Sequence, residues 1–309
     1  MPSHTQSDRT RPARLPPDRT QSGRPEADRP QPRLVLFGPG YTGAALAGAA
    51  AEAGFDVTAI GRQADTAATC AALSQATHVL TTVPPGEHDD PILARYATAL
   101  TQAPRLHWIG YLSTTGVYGD RGGDWVDEAT TPTPHSTRAV RRVAAEAAWA
   151  RLADRCAVDL FRLGGIYGPG RSVFDDLRAG RARRIIKPGH RFGRIHRDDI
   201  VHAVLAAMRQ ARAPGVRVLH LVDDEPAESA AVIEAAARLL NMPPPPAIQY
   251  EIALTTMSPM ARSFWADNRQ VSSRATRAAL GIEWRHPTYR EGLRAILVEE
   301  SGLRNANPG

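Results

Sequence analysis

The chain has 309 residues, 42% of them hydrophobic, with 25 glycines, 25 prolines and two cysteines. That length allows one large domain or two closely joined ones with a sizeable core. No apolar run approaches the roughly 18 residues of a membrane span, and the lone Cys70 and Cys156 exclude a cysteine-built metal or disulfide framework. The net charge of +6 is local: Arg178, Arg181, Arg183, Arg184, Lys187, Arg191, Arg194 and Arg197 fall within residues 178–197, which hold no acid. One segment thus outweighs the whole and leaves the remainder slightly acidic. Such a cluster suits a small anionic ligand and argues against nucleic acid.

Residues 1–32 are rich in Pro, Arg, Asp, Ser and Gln, with Leu15 their one large aliphatic residue. They cannot bury enough surface to offset ordering entropy, so a disordered tail is expected. Asp8, Asp18, Glu26 and Asp28 argue against a transit peptide, and no apolar leader core is present. Together with the two unpaired cysteines this points to a reducing cytoplasm.

The structured part opens with Leu34, Val35, Leu36 and Phe37, an apolar run that reads as a buried parallel strand. It enters Gly38-Pro39-Gly40-Tyr41-Thr42-Gly43, and an Ala-rich helix over residues 44–53 follows. Strand, glycine turn and helix in this order predict a dinucleotide site at Gly38, Gly40, Tyr41, Thr42 and Gly43. Gly38 permits the tight turn, Gly40 lets the backbone approach a pyrophosphate, and Gly43 lets helix and strand pack closely. The helix N-terminus supplies N–H groups and partial positive charge.

Further strands are predicted at 55–60, 78–83, 106–111 and 158–163, with helices at 91–102 and 135–154. Alternation of this kind gives a doubly wound parallel sheet with its ligand crevice beyond the carboxyl ends of the strands. Helices near 199–211 and 227–240 and a strand at 216–222 extend it, and Pro243 to Pro246 break the chain before helices near 272–280 and 287–299. The expected organisation is α/β: a Rossmann-type core over 33–170 and a smaller C-terminal substrate lobe over 171–300, with strand 216–222 returning to the main sheet.

The second strand ends at Gly61-Arg62, with no carboxylate before Asp65. An acid there would bind the ribose 2′-hydroxyl, whereas Arg62 can make charge-assisted bonds to a 2′-phosphate. NADP is therefore expected over NAD.

With Ser113-Thr114-Thr115-Gly116-Val117-Tyr118-Gly119, Arg162-Leu163-Gly164-Gly165-Ile166-Tyr167-Gly168-Pro169-Gly170 and Arg194-Ile195-His196-Arg197-Asp198-Asp199-Ile200 added to the glycine turn, residues 33–300 resemble the extended and atypical short-chain dehydrogenase/reductases, which include nucleotide-sugar epimerases and dehydratases. The resemblance implies that Thr114, with Ser113 beside it, hydrogen-bonds the reacting oxygen, and that the loop holding Tyr167 lies beside the nicotinamide. A homodimer stays open, since the sequence does not fix the oligomeric state.

The family pattern breaks at its Tyr-x-x-x-Lys pair, whose Tyr moves a proton and whose Lys lowers the Tyr pKa and holds the ribose. Lys187 is the one lysine of the chain. Alignment on Ala145-Glu146 puts Arg138 and Arg142 in those places. Arg142 can still hold the ribose, but a guanidinium does not deprotonate. The remaining proton-handling candidates are Tyr118 and His196, the latter with Asp198 and Asp199. His78, His107, His202 and His220 show no metal spacing, so no metal is expected. These features fit an NADP-binding oxidoreductase or epimerase with a small anionic substrate, a phosphorylated or nucleotide-linked sugar, held between the crevice and the basic segment 178–197. The rival class is a dinucleotide sensor that kept the cofactor site without a proton donor.

Overall fold

The computed structural model describes residues 31–306, and the expected tail lies, through residue 30, outside them. The first half runs β1 (Arg33–Phe37), α1 (Tyr41–Glu52), β2 (Asp56–Ile60), α2 (Thr66–Gln75), β3 (His78–Thr81), α3 (Pro91–Gln102) and β4 (Trp108–Thr114). A 3-10 turn (Thr115–Tyr118), β5 (Trp125–Val126), α4 (Thr137–Ala150), β6 (Ala157–Leu163) and β7 (Gly165–Tyr167) follow. Next come α5 (Val173–Arg178), β8 (Arg184–Ile186), β9 (Arg194–His196), α6 (Arg197–Met208), β10 (Gly215–Leu221) and α7 (Ser229–Leu239). The chain ends with β11 (Ala247–Gln249), α8 (Tyr250–Thr256), α9 (Pro259–Ala266), β12 (Gln270–Val271), α10 (Arg274–Leu280) and α11 (Tyr289–Ala306).

Six parallel strands form the central sheet in the order β10-β6-β4-β3-β1-β2. The order reverses at β1, so the crevice between the carboxyl ends of β1 and β3 is the switch point where ligands bind in such sheets. β1 shows why the sheet is buried on both faces. Leu34 and Leu36 pack with Leu46 and Ala50 of α1 and Ile200, Ala203 and Val204 of α6. Val35 and Phe37 point the other way, toward Leu73, Tyr96, Leu100 and Trp149 of α2, α3 and α4. A continuous apolar run is the sequence mark of such a strand.

Local chemistry sets the helix starts. Pro91 opens α3, and Asp90 accepts from the backbone N–H groups of Ile92 and Leu93 at 3.0 and 3.1 Å. Asp65 caps α2, a helix absent from the sequence reading, by accepting from Ala68 N–H at 2.7 Å. Its Ala- and Thr-rich stretch has little apolar periodicity to betray it.

Within residues 171–300, α6 joins a face of the sheet and β10 forms its edge strand beside β6. Elsewhere Phe174 and Leu177 of α5 pack with Val232 and Ile233 of α7 and Tyr289, Leu293 and Ile296 of α11 in a separate apolar cluster. Three short parallel pairs, β5 with β12, β7 with β9 and β8 with β11, tie distant segments together.

Candidate active site

A cleft of about 670 Å³ lies at the carboxyl ends of the strands and is lined by Gly40, Tyr41, Thr42, Gly43, Ser113, Thr114 and Arg142 among others. The glycine turn divides its work among three residues. Gly38 adopts φ +86°, and a Cβ there would meet Thr82 Oγ1 at 2.7 Å. A Cβ on Gly43 would lie 2.1 Å from the Gly38 carbonyl oxygen, so α1 packs against β1 only without one. A Cβ on Gly40 meets nothing within 4 Å. The first two glycines are needed by the fold; the third leaves open space at the mouth of an α1 N-terminus that no side chain caps. Tyr41 fastens the turn across the cleft by donating to the Pro169 carbonyl at 3.0 Å, with the guanidinium groups of Arg171 and Arg197 each 5.6 Å from its ring.

Ser113 and Thr114 are the last residues of β4, in register with Arg162 and Leu163 of β6. The strand begins at Trp108 and runs three residues past the predicted end, so these hydroxyls stand on the sheet itself. They have opposite hydrogen-bond polarity. Ser113 donates to Glu146 Oε1 at 2.6 Å. Thr114 Oγ1 accepts from Gly116 N–H at 3.1 Å, which leaves its own hydrogen to be donated elsewhere. Arg142, 8% exposed, donates from Nη1 to Tyr111 Oη and the Leu112 carbonyl, both at 2.9 Å. Arg138 is exposed, its guanidinium 5.8 Å from the Phe264 ring centre.

Five sequence candidates, Gly38, Arg62, Tyr118, Tyr167 and His196, are absent from the lining of this cleft. Tyr118 is fully buried; its hydroxyl accepts from Arg162 Nη1 at 2.7 Å, donates to the Asp127 carbonyl at 3.1 Å and lies 2.5 Å from His220 Nε2. Burial, moderated by Arg162, pushes its phenol up to about 12. Tyr167 packs edge-on against His196 and lines a second cavity of about 640 Å³; burial first, then Asp223, drives its phenol far above the ordinary range. His196 caps α6, its Nδ1 accepting from Asp198 N–H at 3.2 Å, and burial followed by neighbouring His286 lowers it to about 4. The fold places donor atoms of His196, Asp198 and His286 within 4.8 Å of one another, a grouping that no sequence spacing announces. Arg197 already pairs with this Asp198 at 2.9 Å. Arg62 stands exposed, just past the end of β2.

The basic segment disperses. Arg178 pairs with Glu300, Arg181 with Asp176, Arg184 with Glu234 and Arg197 with Asp198. Lys187 donates to the Trp265 carbonyl at 2.6 Å. Arg191 and Arg194 reach the cleft, which sequence-distant Arg138, Arg142, Arg171 and Arg269 also line. Against these six arginines the lining holds one acid, Asp267, paired with Arg269 at 3.2 Å.

No family model matches the chain. A functionally unknown conserved protein from Silicibacter pomeroyi is 38% identical, with a TM-score of 0.79 over 87% of this chain and 99% of that one. The chain belongs to that protein's family. MoeE5, solved with UDP-glucuronic acid and NAD, superposes with a TM-score of 0.70 at 20% identity over 87% of this chain and 99% of its own. The human epimerase family protein SDR39U1, solved with NADPH, gives 0.71 at 17% identity over 85% of this chain and 98% of its own. The architecture is thus an α/β Rossmann-type fold, shared with these solved structures. A 3-diazoavenalumate denitrifying reductase from a Streptomyces species is 32% identical over 142 residues, 43% of this chain and 45% of that enzyme, so the match spans less than half of either. No helix among the described residues is long and apolar enough to cross a membrane.

Proposed function

We propose that the cleft binds NADP and that the protein is an oxidoreductase or epimerase of the atypical short-chain type, acting on a small anionic substrate such as a nucleotide-linked sugar. One observation carries this reading: the glycine turn, the Ser113–Thr114 hydroxyl pair and six arginines open onto the same cleft. The NAD or NADPH in the names of the solved relatives supports the cofactor class, and Arg62 supports the 2′-phosphate form. The UDP-glucuronic acid bound to MoeE5 supports the substrate class.

When bound, the nicotinamide supplies hydride transfer. The chain contributes position and polarity. The open space at Gly40 and the uncapped amino end of α1 receive the pyrophosphate, and Arg142 stands where the family Lys holds the ribose. Thr114 donates to the reacting oxygen, stabilising negative charge that develops there. Ser113, its hydrogen committed to Glu146, accepts from a substrate hydroxyl.

A second reading, a cofactor-loaded sensor without turnover, draws on one observation. Tyr41 is the one phenol lining the cleft, and it already donates to Pro169. Titration with NADPH and NADH, followed by a turnover screen over sugar nucleotides, separates the two. Binding with turnover supports the enzyme, and tight binding with no turnover supports the sensor.

A further inference from the structure

Arg194, the first residue of β9, is largely buried and feels the attraction of Asp223, yet it makes no direct ion pair. Its Nη1 donates to the carbonyls of Phe192 and Ala227 at 2.9 and 3.1 Å, both neutral acceptors. Arg178, Arg184 and Arg197 pair with carboxylates at 2.7, 2.7 and 2.9 Å, but Arg194 enters no ion pair among the described residues. The nearby acid is Asp223, 2% exposed, neither of whose carboxylate oxygens has a hydrogen-bond partner. Burial pushes that carboxyl well above its usual range against the attraction of Arg194, and no ion pair joins the two side chains. A buried guanidinium without a hydrogen-bonded anion is costly to maintain.

Its position says what would relieve that cost. The main cleft and the second cavity share Ile166, Arg171, Arg194 and Ser229 in their linings. Ser229 is the first residue of α7, an 11-residue helix with no side-chain cap. Glu228, which precedes it, is turned away and accepts from Gly189 N–H at 2.8 Å. Arg194 itself bonds the carbonyl of Ala227, two residues before Ser229. A guanidinium, a hydroxyl and a helix amino end thus gather at one junction, a combination suited to oxyanions.

We propose that Arg194, Ser229 and the amino end of α7 form an oxyanion subsite that holds the carboxylate or phosphate monoester group of the substrate. This rests on the reading of the cleft as a cofactor and substrate site, in which the glycine turn and Arg142 serve the dinucleotide and Arg194 is left for the substrate. The subsite makes the anionic group a condition of recognition, so neutral analogues are rejected.

Inorganic phosphate and malonate, titrated calorimetrically at fixed ionic strength into the full chain saturated with NADPH, test it. At least one anion should bind, and Arg194→Met should weaken that binding tenfold or more while NADPH affinity stays within about twofold. Ser229→Asp places a carboxylate where the helix dipole favours it, so the fold is kept while oxyanion binding is lost. Tighter phosphate identifies a phosphate monoester, and tighter malonate a carboxylate. No anion binding, or equal binding in the wild type and both variants with NADPH in place, overturns the subsite and leaves the cofactor reading standing. Failure of NADPH itself to bind overturns the reading beneath it.

Discussion

Ser113 and Glu146 meet across 2.6 Å at the inner end of the cleft, and the serine is the donor. Glu146 is held in turn by Arg162, Nε to Oε1 at 3.1 Å and Nη2 to Oε2 at 2.7 Å. Arg162 continues to Tyr118, Tyr118 to His220, and His220 Nδ1 to the Ser272 carbonyl at 2.8 Å. This chain of buried polar groups gives the two adjacent hydroxyls of β4 their opposite roles, because Ser113 spends its hydrogen inward and Thr114 does not.

Glu146→Ala should therefore be costly to the fold. It leaves the Arg162 guanidinium buried without its anion, a loss of about 3–5 kcal/mol on the scale of broken buried pairs. Urea unfolding measures it, and a loss below about 1 kcal/mol would show that Arg162 finds another partner.

Thr114→Val and Tyr118→Phe should separate chemistry from structure. Thr114→Val keeps the shape and removes the outward donor, so turnover on any substrate found should fall about 10²-fold with NADPH affinity intact. Tyr118→Phe strips partners from Arg162 and His220 and should cost about 1–3 kcal/mol of stability without touching cofactor affinity. If both variants retained turnover, the proton would come from water, the substrate or another group.

The sheet was legible because its signals are local. The apolar run into the glycine turn, Pro91 opening α3 and the Arg162-to-Gly170 stretch each announce an element from within a few residues. The Tyr118 network was not legible, since Ser113 and Glu146 stand 33 residues apart and Tyr118 and His220 stand 102 apart. Nor was the fate of the basic segment. Eight cations in a row look like one patch until folding hands Arg178 to Glu300 and Arg184 to Glu234 and leaves Arg194 without a direct ion pair. The strand pairs of two or three residues, such as β5 with β12, are too short to carry a period.

Acid should weaken the fold through His78. Its Nε2 bonds the Met208 carbonyl at 3.1 Å and its Nδ1 bonds Thr77 Oγ1 at 2.8 Å, which suits the neutral ring. Burial, then His107, lowers its pKa from 6.5 to about 4. The unfolded chain takes up that proton first, so the contribution is complete above about pH 6.5 and is lost as pH falls toward 4. At pH 5 the loss is on the order of 1–2 kcal/mol. Urea midpoints at pH 7.5 and pH 5 should differ more for the wild type than for His78→Gln, and equal differences would count against this assignment.

Arg62→Ala tests cofactor choice. NADPH should weaken by about 1.5–3 kcal/mol, the scale of a charged hydrogen bond, with NADH nearly unchanged. Equal losses for the two would show that Arg62 does not reach the 2′-phosphate.

Gly40→Val tests the cofactor site most directly. Gly38 and Gly43 cannot take a side chain without disturbing the fold, but a Cβ on Gly40 meets only open space, so this variant should keep the wild-type melting temperature. A branched side chain there would occupy the room assigned to the pyrophosphate. Fluorescence titration with NADPH should show binding to the wild type and a loss of about 10²-fold or more in the variant, equivalent to roughly 2.7 kcal/mol. A folded Gly40→Val protein that binds NADPH as the wild type does would place the dinucleotide elsewhere and contradict the account.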